Sequence, residues 1–376
     1  NALVTGSTVW GGGTGAVQTM VFGSAADTLT FSGGFGAGFI SLGAGADTIE
    51  FAGAAVSGTT LTGLTTSGDR VSLLGNNTMV FGTDGIADGA LVSFGANNDM
   101  ATFSGAVGAT TLYAGAGADT LVFASGQNVT GTTLMGLDSS GDRVSLLGNN
   151  TVVFGTDGIA TGAQVSFGGN NDMATFSGAV GAAAIYGGDG ADSLVFANTL
   201  AGSTVSGGTG IDVFSGSVTV GSAGVSFWSG AGNDIFNFNG ITGTGSGTAY
   251  FWNQSGGGAD SIVFNSVVSG GSGSSGNAAG VAFGITSGSS MVISFLDSQT
   301  SASFGNGISN LFTVNNSLVS FGIGTNNYIT LQFVGGGGVT LQGFDPAEAK
   351  AITNTFGLAG AGTANFGTAA SIPTFS

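Results

Sequence analysis

Nine aspartates, Asp27, Asp47, Asp99, Asp119, Asp172, Asp192, Asp212, Asp234 and Asp260, recur along the chain with most neighbours 20 to 26 residues apart. Two wider gaps, after Asp47 and after Asp119, hold Asn77 and Asn150 at the equivalent position. The chain has no His and no Cys, so a metal bound by these residues would meet oxygen alone, which suits a hard cation such as Ca2+. If Asp172, Asp192, Asp212, Asp234 and Asp260 form a column, neighbouring carboxylates about 5 Å apart repel by roughly 0.8 kcal/mol in water and several-fold more at a partly desolvated edge. A bound cation removes that cost. The same residues admit a second reading without metal, in which each Asp caps its own turn through an Asx hydrogen bond.

The elements that position these carboxylates are legible around them. Four residues before each Asp stands a glycine: Gly23, Gly43, Gly95, Gly115, Gly168, Gly188, Gly208, Gly230 and Gly256. Two residues before stand Gly45, Gly117, Gly190, Gly210, Gly232 and Gly258, with Asn97, Asn170 and Ala25 in the other units. Gly and Asn tolerate positive φ, so the pattern reads as a tight turn. After the Asp, apolar residues alternate with Thr, Ser or Asn, as in Leu29 and Phe31, Ile49 and Phe51, Leu121 and Phe123, or Phe236 and Phe238. Period two marks a strand with one buried face. A matching strand precedes the turn, as in Val92 with Phe94 and Val165 with Phe167.

Longer repetition frames these units. Asp69 to Asn76 recurs as Asp142 to Asn149, and the stretch Ala96 to Val107 recurs at Gly169 to Val180, an offset of 73 residues. A short period inside a near-tandem duplication is a solenoid signature. The expected fold is all-β, a right-handed parallel β-solenoid of about 20-residue coils whose Phe side chains stack in an internal ladder. Residues 1–265 are expected to form this solenoid, 266–343 calcium-free β-coils or a separate β-module, and 344–376 an appendix with one short helix. That helix would start at Asp345 as N-cap with Pro346 as its first residue, and stop at Gly357.

The turn text is specific. Gly187 to Val195 (GGDGADSLV) and Gly207 to Ser215 (GGTGIDVFS) match G-G-x-G-x-D-x-U-x in full, and four further stretches, beginning at Leu42, Ala114, Ser229 and Ser255, miss only the first Gly. On these motifs the chain resembles the RTX family of bacterial type I secreted proteins over roughly residues 20 to 265. The resemblance implies that turn carbonyls and the nine Asp carboxylates bind Ca2+ and that folding follows export into calcium-rich surroundings. RTX repeats usually run head to tail every nine residues, with calcium on both edges of the roll. Here the motif occupies one turn per coil, so calcium is expected along one edge only.

Other carboxylates read as ordinary surface features. Asp84 and Asp157 lie in repeated TDG turns, and Asp69 and Asp142, each beside an Arg, read as local surface pairs.

Composition narrows the partners. Only Arg70, Arg143 and Lys350 are basic, against 20 acidic residues, for a net charge of -17. That balance disfavours nucleic acid and anionic membranes. No apolar run reaches the roughly 18 residues of a membrane span, although mean hydropathy is +0.43. Acid–base chemistry has few candidates: one Lys, Glu50 and Glu348 far apart, and four Tyr. The expectation is therefore a non-enzymatic, self-assembling extracellular protein of the bacterial cell surface, a filament or surface-layer subunit whose partner is itself, end to end or in a lattice. Neither end of the sequence shows the charged cap a soluble solenoid would carry. A secreted adhesin or ice-binding solenoid is the alternative, although outward positions mix Thr with Ser, Val, Glu and Asn rather than forming a flat Thr array.

Overall fold

A computed structural model describes residues 18–53, 55–243, 248–252 and 259–264, together with the strands Ser269–Gly270, Gly280–Gly284, Ser290–Phe295, Thr300–Phe304, Leu318–Gly324, Tyr328–Phe333 and Gly338–Gln342. The chain is an all-β parallel solenoid and falls into two compact units, residues 1–189 and 190–376. The expected helix after Asp345, and most of the segment before Phe22, lie outside the described residues.

In unit 1 each coil contributes one short strand to each of two parallel sheets. The first sheet holds nine described strands in the order Gln18–Val21, Gly38–Ser41, Ser57–Thr62, Thr78–Phe81, Met100–Phe103, Thr120–Phe123, Arg143–Leu146, Gln164–Phe167 and Ala184–Asp189. The second holds Thr28–Phe31, Thr48–Phe51, Arg70–Leu73, Leu91–Phe94, Thr111–Tyr113, Val129–Met135, Asn150–Phe154 and Met173–Phe176. Most strands are four residues long and alternate inward and outward, as in Thr78–Phe81, where Met79 and Phe81 are buried.

The inward positions stack like on like. Phe31 lies on Phe51 at 4.8 Å between ring centroids, Phe81 on Phe103 at 4.7 Å and Phe103 on Phe123 at 4.5 Å. Phe94 meets Phe81 edge-on from the facing sheet, at 6.4 Å and 87°. The aromatic core expected from the alternation is present, and it fills the space between the sheets with ring faces and edges in favourable arrangement.

Each coil of unit 1 turns differently at its two edges. One edge is a narrow Gly-Asp turn, and the other is wider and inserts an apolar side chain. These wide turns stack as Phe35 on Val56, then Ile86, Val107 and Val129, then Leu137, Ile159 and Val180, all buried. Where a narrow Asn turn follows a wide one along the stack, the register shifts between Ser57 and Thr59 and between Thr130 and Thr132. Gly58 and Gly131, with φ of +67° and +69°, take up the extra residue at those two bulges.

Unit 2 repeats the plan. Ser193–Phe196, Val213–Val220, Ile235–Gly243 and Ala259–Phe264 pair in parallel in one sheet, and Ser203–Thr209, Val225–Ala231 and Thr248–Trp252 in the other. Phe214 stacks on Phe236 at 4.6 Å. Beyond residue 280 parallel pairs, Gly280 beside Gly338 and Ala259 beside Ser290, are joined by antiparallel ones, Met291 opposite Phe304 and Tyr328 opposite Gln342. No helix among the described residues is long and apolar enough to cross a membrane.

Candidate metal centre

The glycines before each Asp take the backbone conformation the turn requires. Gly45, Gly117, Gly190, Gly210 and Gly232 have φ between +117° and +147°. In the turn before Asp119, a Cβ added to Gly115 would collide with the Gly95 carbonyl of the preceding coil. The close stacking of turns, and not flexibility, selects glycine there.

Each turn delivers its Asp side chain inward. All nine sequence-predicted aspartates are buried, at 0–2 % exposure. They hydrogen-bond in ladders, the backbone N–H of one Asp donating to Oδ1 of the Asp in the next coil. Asp27 donates to Asp47 at 2.7 Å and Asp47 to Asp69 at 2.8 Å. Asn77 donates to Asp99 at 2.7 Å, Asp99 to Asp119 at 2.8 Å and Asp119 to Asp142 at 2.8 Å. Asn150 donates to Asp172 at 2.7 Å. In unit 2, Asp192 donates to Asp212 at 2.9 Å, Asp212 to Asp234 at 2.8 Å and Asp234 to Asp260 at 3.0 Å.

Three expectations change in unit 1. The aspartates do not keep to one edge. Asp27, Asp47 and Asp69 precede strands of the second sheet, Asn77, Asp99, Asp119 and Asp142 precede strands of the first, and Asn150 with Asp172 returns to the second. Eight residues separate Asp69 from Asn77 and Asp142 from Asn150, which is one strand and one tight turn, so the Asp turn moves to the opposite edge at each step. Asn77 and Asn150 therefore head new ladders rather than filling gaps in an old one. Asp69 and Asp142 are not surface partners of Arg70 and Arg143 either. Both are fully buried at the end of a ladder, while the two arginines face outward. Sequence reasoning missed them because their turns lack the G-x-G-x-D text. Their following apolar pairs, Val71 with Leu73 and Val144 with Leu146, carried the same signal.

The ladder ends differ from the middles. Asn77 Nδ2 donates to Asp99 Oδ1 at 2.8 Å and to the Gly75 carbonyl at 2.6 Å, so an uncharged amide closes that end. Asn150 repeats the arrangement on Asp172 at 2.8 Å and on Gly148 at 2.8 Å. At the other end, Asp69 Oδ2 accepts Thr66 N–H at 3.0 Å and Asp142 Oδ2 accepts Ser139 N–H at 2.9 Å, the Asx-type cap of their own turns. In between, Oδ2 of Asp47, Asp99, Asp119, Asp212, Asp234 and Asp260 is buried with no hydrogen-bond donor. Leaving a buried acceptor unsatisfied costs about 1–3 kcal/mol, and more for a charged group.

Burial governs the ionisation of these groups. Desolvation pushes Asp119 and Asp234 up to about 7, and like-charged neighbours add to it while the ladder N–H opposes it. Desolvation likewise raises Asp47, Asp172, Asp212 and Asp260 to about 6. It also raises Asp99 and Asp142, in whose surroundings the accepted N–H groups act in opposition.

Among the described residues the stacked aspartates form no carboxylate cage: no three Asp or Glu side chains gather at one point. Packing over Gly207 is close: a Cβ there would collide with both Asp212 Oδ2 and the Ser229 carbonyl oxygen, which lie against the glycine. Oxygen atoms from neighbouring coils, with no nitrogen or sulfur ligand among them, make the stacked aspartates compatible with a hard cation such as Ca2+. Asp84 and Asp157 stand apart from this system. Each is exposed, and its Oδ2 accepts the N–H of Gly63 or Gly136 in the preceding coil.

Fold and ladders together define a parallel β-solenoid with inward-facing, stacked aspartates, an arrangement compatible with the β-roll. No protein-family model matches the sequence, and no curated protein does.

Proposed function

We propose that this chain is a calcium-stabilised structural protein of the bacterial exterior, of the RTX β-roll type, whose copies assemble into a filament or surface layer. The observation that carries the calcium half is the row of buried, donorless Oδ2 atoms, one per coil, from Asp99 to Asp119 and from Asp212 to Asp260. Without a cation, each must hold a proton or a desolvated charge. A divalent ion shared between neighbouring Oδ2 atoms and turn carbonyls satisfies both at once and contributes binding free energy to folding. Extracellular calcium modules bind at about 10⁻⁴–10⁻³ M, so such sites fill outside the cell.

The assembly half is supported by the faces. The outward row Thr60, Val80, Thr102, Val122, Ser145 and Ser166 on the first sheet is uncharged, which permits close lateral approach. Circular dichroism and negative-stain microscopy across an EGTA titration test the reading. Loss of β-signal and of assembly on calcium removal is expected. An unchanged spectrum sinks the calcium role, and a chain that remains monomeric in calcium at high concentration favours the adhesin instead.

A further inference from the structure

The duplication noted in the sequence has a geometric consequence inside unit 1. From Arg70, strand pairing steps to Leu91, then Thr111, then Thr133, three coils and 63 residues on (133 − 70). The 73-residue period runs ten residues further (143 − 133), through one more turn, and places Arg143 on the opposite sheet. The repeat is therefore three and a half coils long, and every residue in the first copy has its counterpart on the other face.

The two patches match position by position. On the second sheet, Arg70 pairs with Leu91, and Ser72, Ser93 and Tyr113 follow one another in an outward row. On the first sheet, Arg143 pairs with Gln164, and Ser145, Ser166 and Tyr186 form the same row. Tyr113 and Tyr186 are 37 % and 40 % exposed. The patches are related by a half turn about the coil axis and a shift along it.

We propose that these two equivalent faces of unit 1 bind second copies of this chain, so that lateral assembly is two-sided and open rather than a closed dimer. The proposal rests on the self-assembly reading and adds the surface and its valence. Charge and area select the occupant. Among outward strand positions of unit 1 the carboxylates are Glu50 and, at a strand end, Asp189, set against Arg70 and Arg143. The faces are thus close to neutral in a chain of net charge -17, and like copies repel least there. Nine strands on the first sheet and eight on the second, at about 4.8 Å each, with four residues at about 3.3 Å, give faces of about 43 by 13 Å and about 38 by 13 Å. Two copies then bury about 1,000–1,100 Å², at the roughly 1,000 Å² that a specific interface needs. One such face makes a weak pair, and two make a growing array. Exposed tyrosines and serines supply flat, adaptable contact.

The test uses the full chain in calcium, followed by sedimentation velocity and microscopy. One variant carries Arg70→Glu with Tyr113→Glu, a second Arg143→Glu with Tyr186→Glu, a third all four changes, and a control carries Thr161→Glu at an exposed turn. Circular dichroism confirms that each is folded. Equivalent faces predict that either single-face variant stops at pairs, that the four-fold variant loses lateral association altogether, and that the control assembles as the parent does. Monomers from a single-face variant would show that the faces are not equivalent, and the proposal would fall. Blocked assembly in the control, or undisturbed lateral growth in the four-fold variant, would overturn it as well. Filaments one solenoid wide in every variant, parent included, would remove the lateral contact while leaving self-assembly standing. A parent chain that never associates would remove both.

Discussion

The backbone N–H of Asp119 donates to Asp142 Oδ1 at 2.8 Å across 23 residues, while Asp119 keeps its own Oδ2 buried and without a donor. Asp119 Oδ1 in turn accepts the Asp99 N–H at 2.8 Å, so one oxygen of this carboxylate joins two coils while the other has no donor. That division of labour sets the response of the protein to protons and to cations.

The first prediction concerns pH in the absence of calcium. Asp119 and Asp234 titrate at about 7 in the folded chain against 3.8 unfolded, and Asp47, Asp172, Asp212 and Asp260 at about 6. The folded state therefore binds more protons, so this stabilisation is complete below about pH 4 and is lost as pH rises through 6 to 7. In EGTA the melting temperature should fall from about pH 4 to pH 7 and level off above it. On the proposed calcium role, the ionised carboxylates take up the ion, and the calcium-induced gain in melting temperature should grow over the same interval. Melting curves in EGTA that are flat across this range would show that the ladder carboxylates do not titrate on folding.

Asp212→Asn separates the structural oxygen from the charged one. An amide retains an acceptor for the Asp192 N–H, now at 2.9 Å, but removes the carboxylate charge. The variant should be more stable than the parent in EGTA, by about 1 kcal/mol or roughly 2–4 °C. Its calcium-induced stabilisation should shrink, and calorimetry should show fewer ions bound. Asp157→Asn, at an exposed turn outside the ladders, should leave calcium binding unchanged. Equal losses from the two variants would return the ladder to simple turn capping.

How much of this was legible in the sequence depends on which residue is asked. The Phe31 and Phe51 stack, the parallel strands and the burial-ready alternation follow from period-two text, because a side chain's face depends only on its parity along the strand. The exchange of edges at Asp69 and Asp142 does not follow from the turn motif, since neither residue is preceded by G-x-G-x. It depends on an eight-residue interval that lines up only once coils are stacked. The approach of the Ser229 carbonyl to Gly207 and Asp212 was likewise invisible, because any residue type supplies a carbonyl.

Stacking also distinguishes two glycines of the same sign of φ. Gly115 has φ +96° beneath the Gly95 carbonyl, whereas Gly126 has φ +76° with open space around it. Gly126→Ala should cost about 1 kcal/mol, the conformational strain alone. Gly115→Ala adds a backbone collision between coils, and should cost more than about 3 kcal/mol or prevent folding. Equal melting temperatures for the two variants would contradict the tight turn-to-turn packing.

The aromatic ladder can be probed at its centre. Phe103 has ring partners on both sides, Phe81 at 4.7 Å and Phe123 at 4.5 Å. Phe103→Ala leaves a gap that neighbouring coils, fixed by parallel hydrogen bonds, cannot close, at a cost of about 3–5 kcal/mol. Denaturant unfolding measures it, and a loss below about 1 kcal/mol would mean that the core relaxes far more than its stacking implies.

The last prediction turns a ladder end into a ladder middle. Asn77 closes its ladder because Nδ2 donates to Asp99 Oδ1 and to the Gly75 carbonyl, two acceptors that no carboxylate can satisfy. Asn77→Asp removes both donations, places a second charge beside a buried one and keeps the backbone N–H to Asp99 at 2.7 Å. In EGTA the variant should lose about 1–3 kcal/mol, the cost of leaving buried acceptors unpaired. In calcium the new carboxylate joins Asp99 and the Gly75 carbonyl as an oxygen donor set like those further along, so most of that loss should be recovered and one more ion should bind. Equilibrium dialysis against calcium, beside thermal melts with and without EGTA, reads both effects. A variant destabilised equally in both conditions, with an unchanged number of ions, would mean that the ladder interior does not hold calcium and that its orphaned oxygens are matched by protons alone.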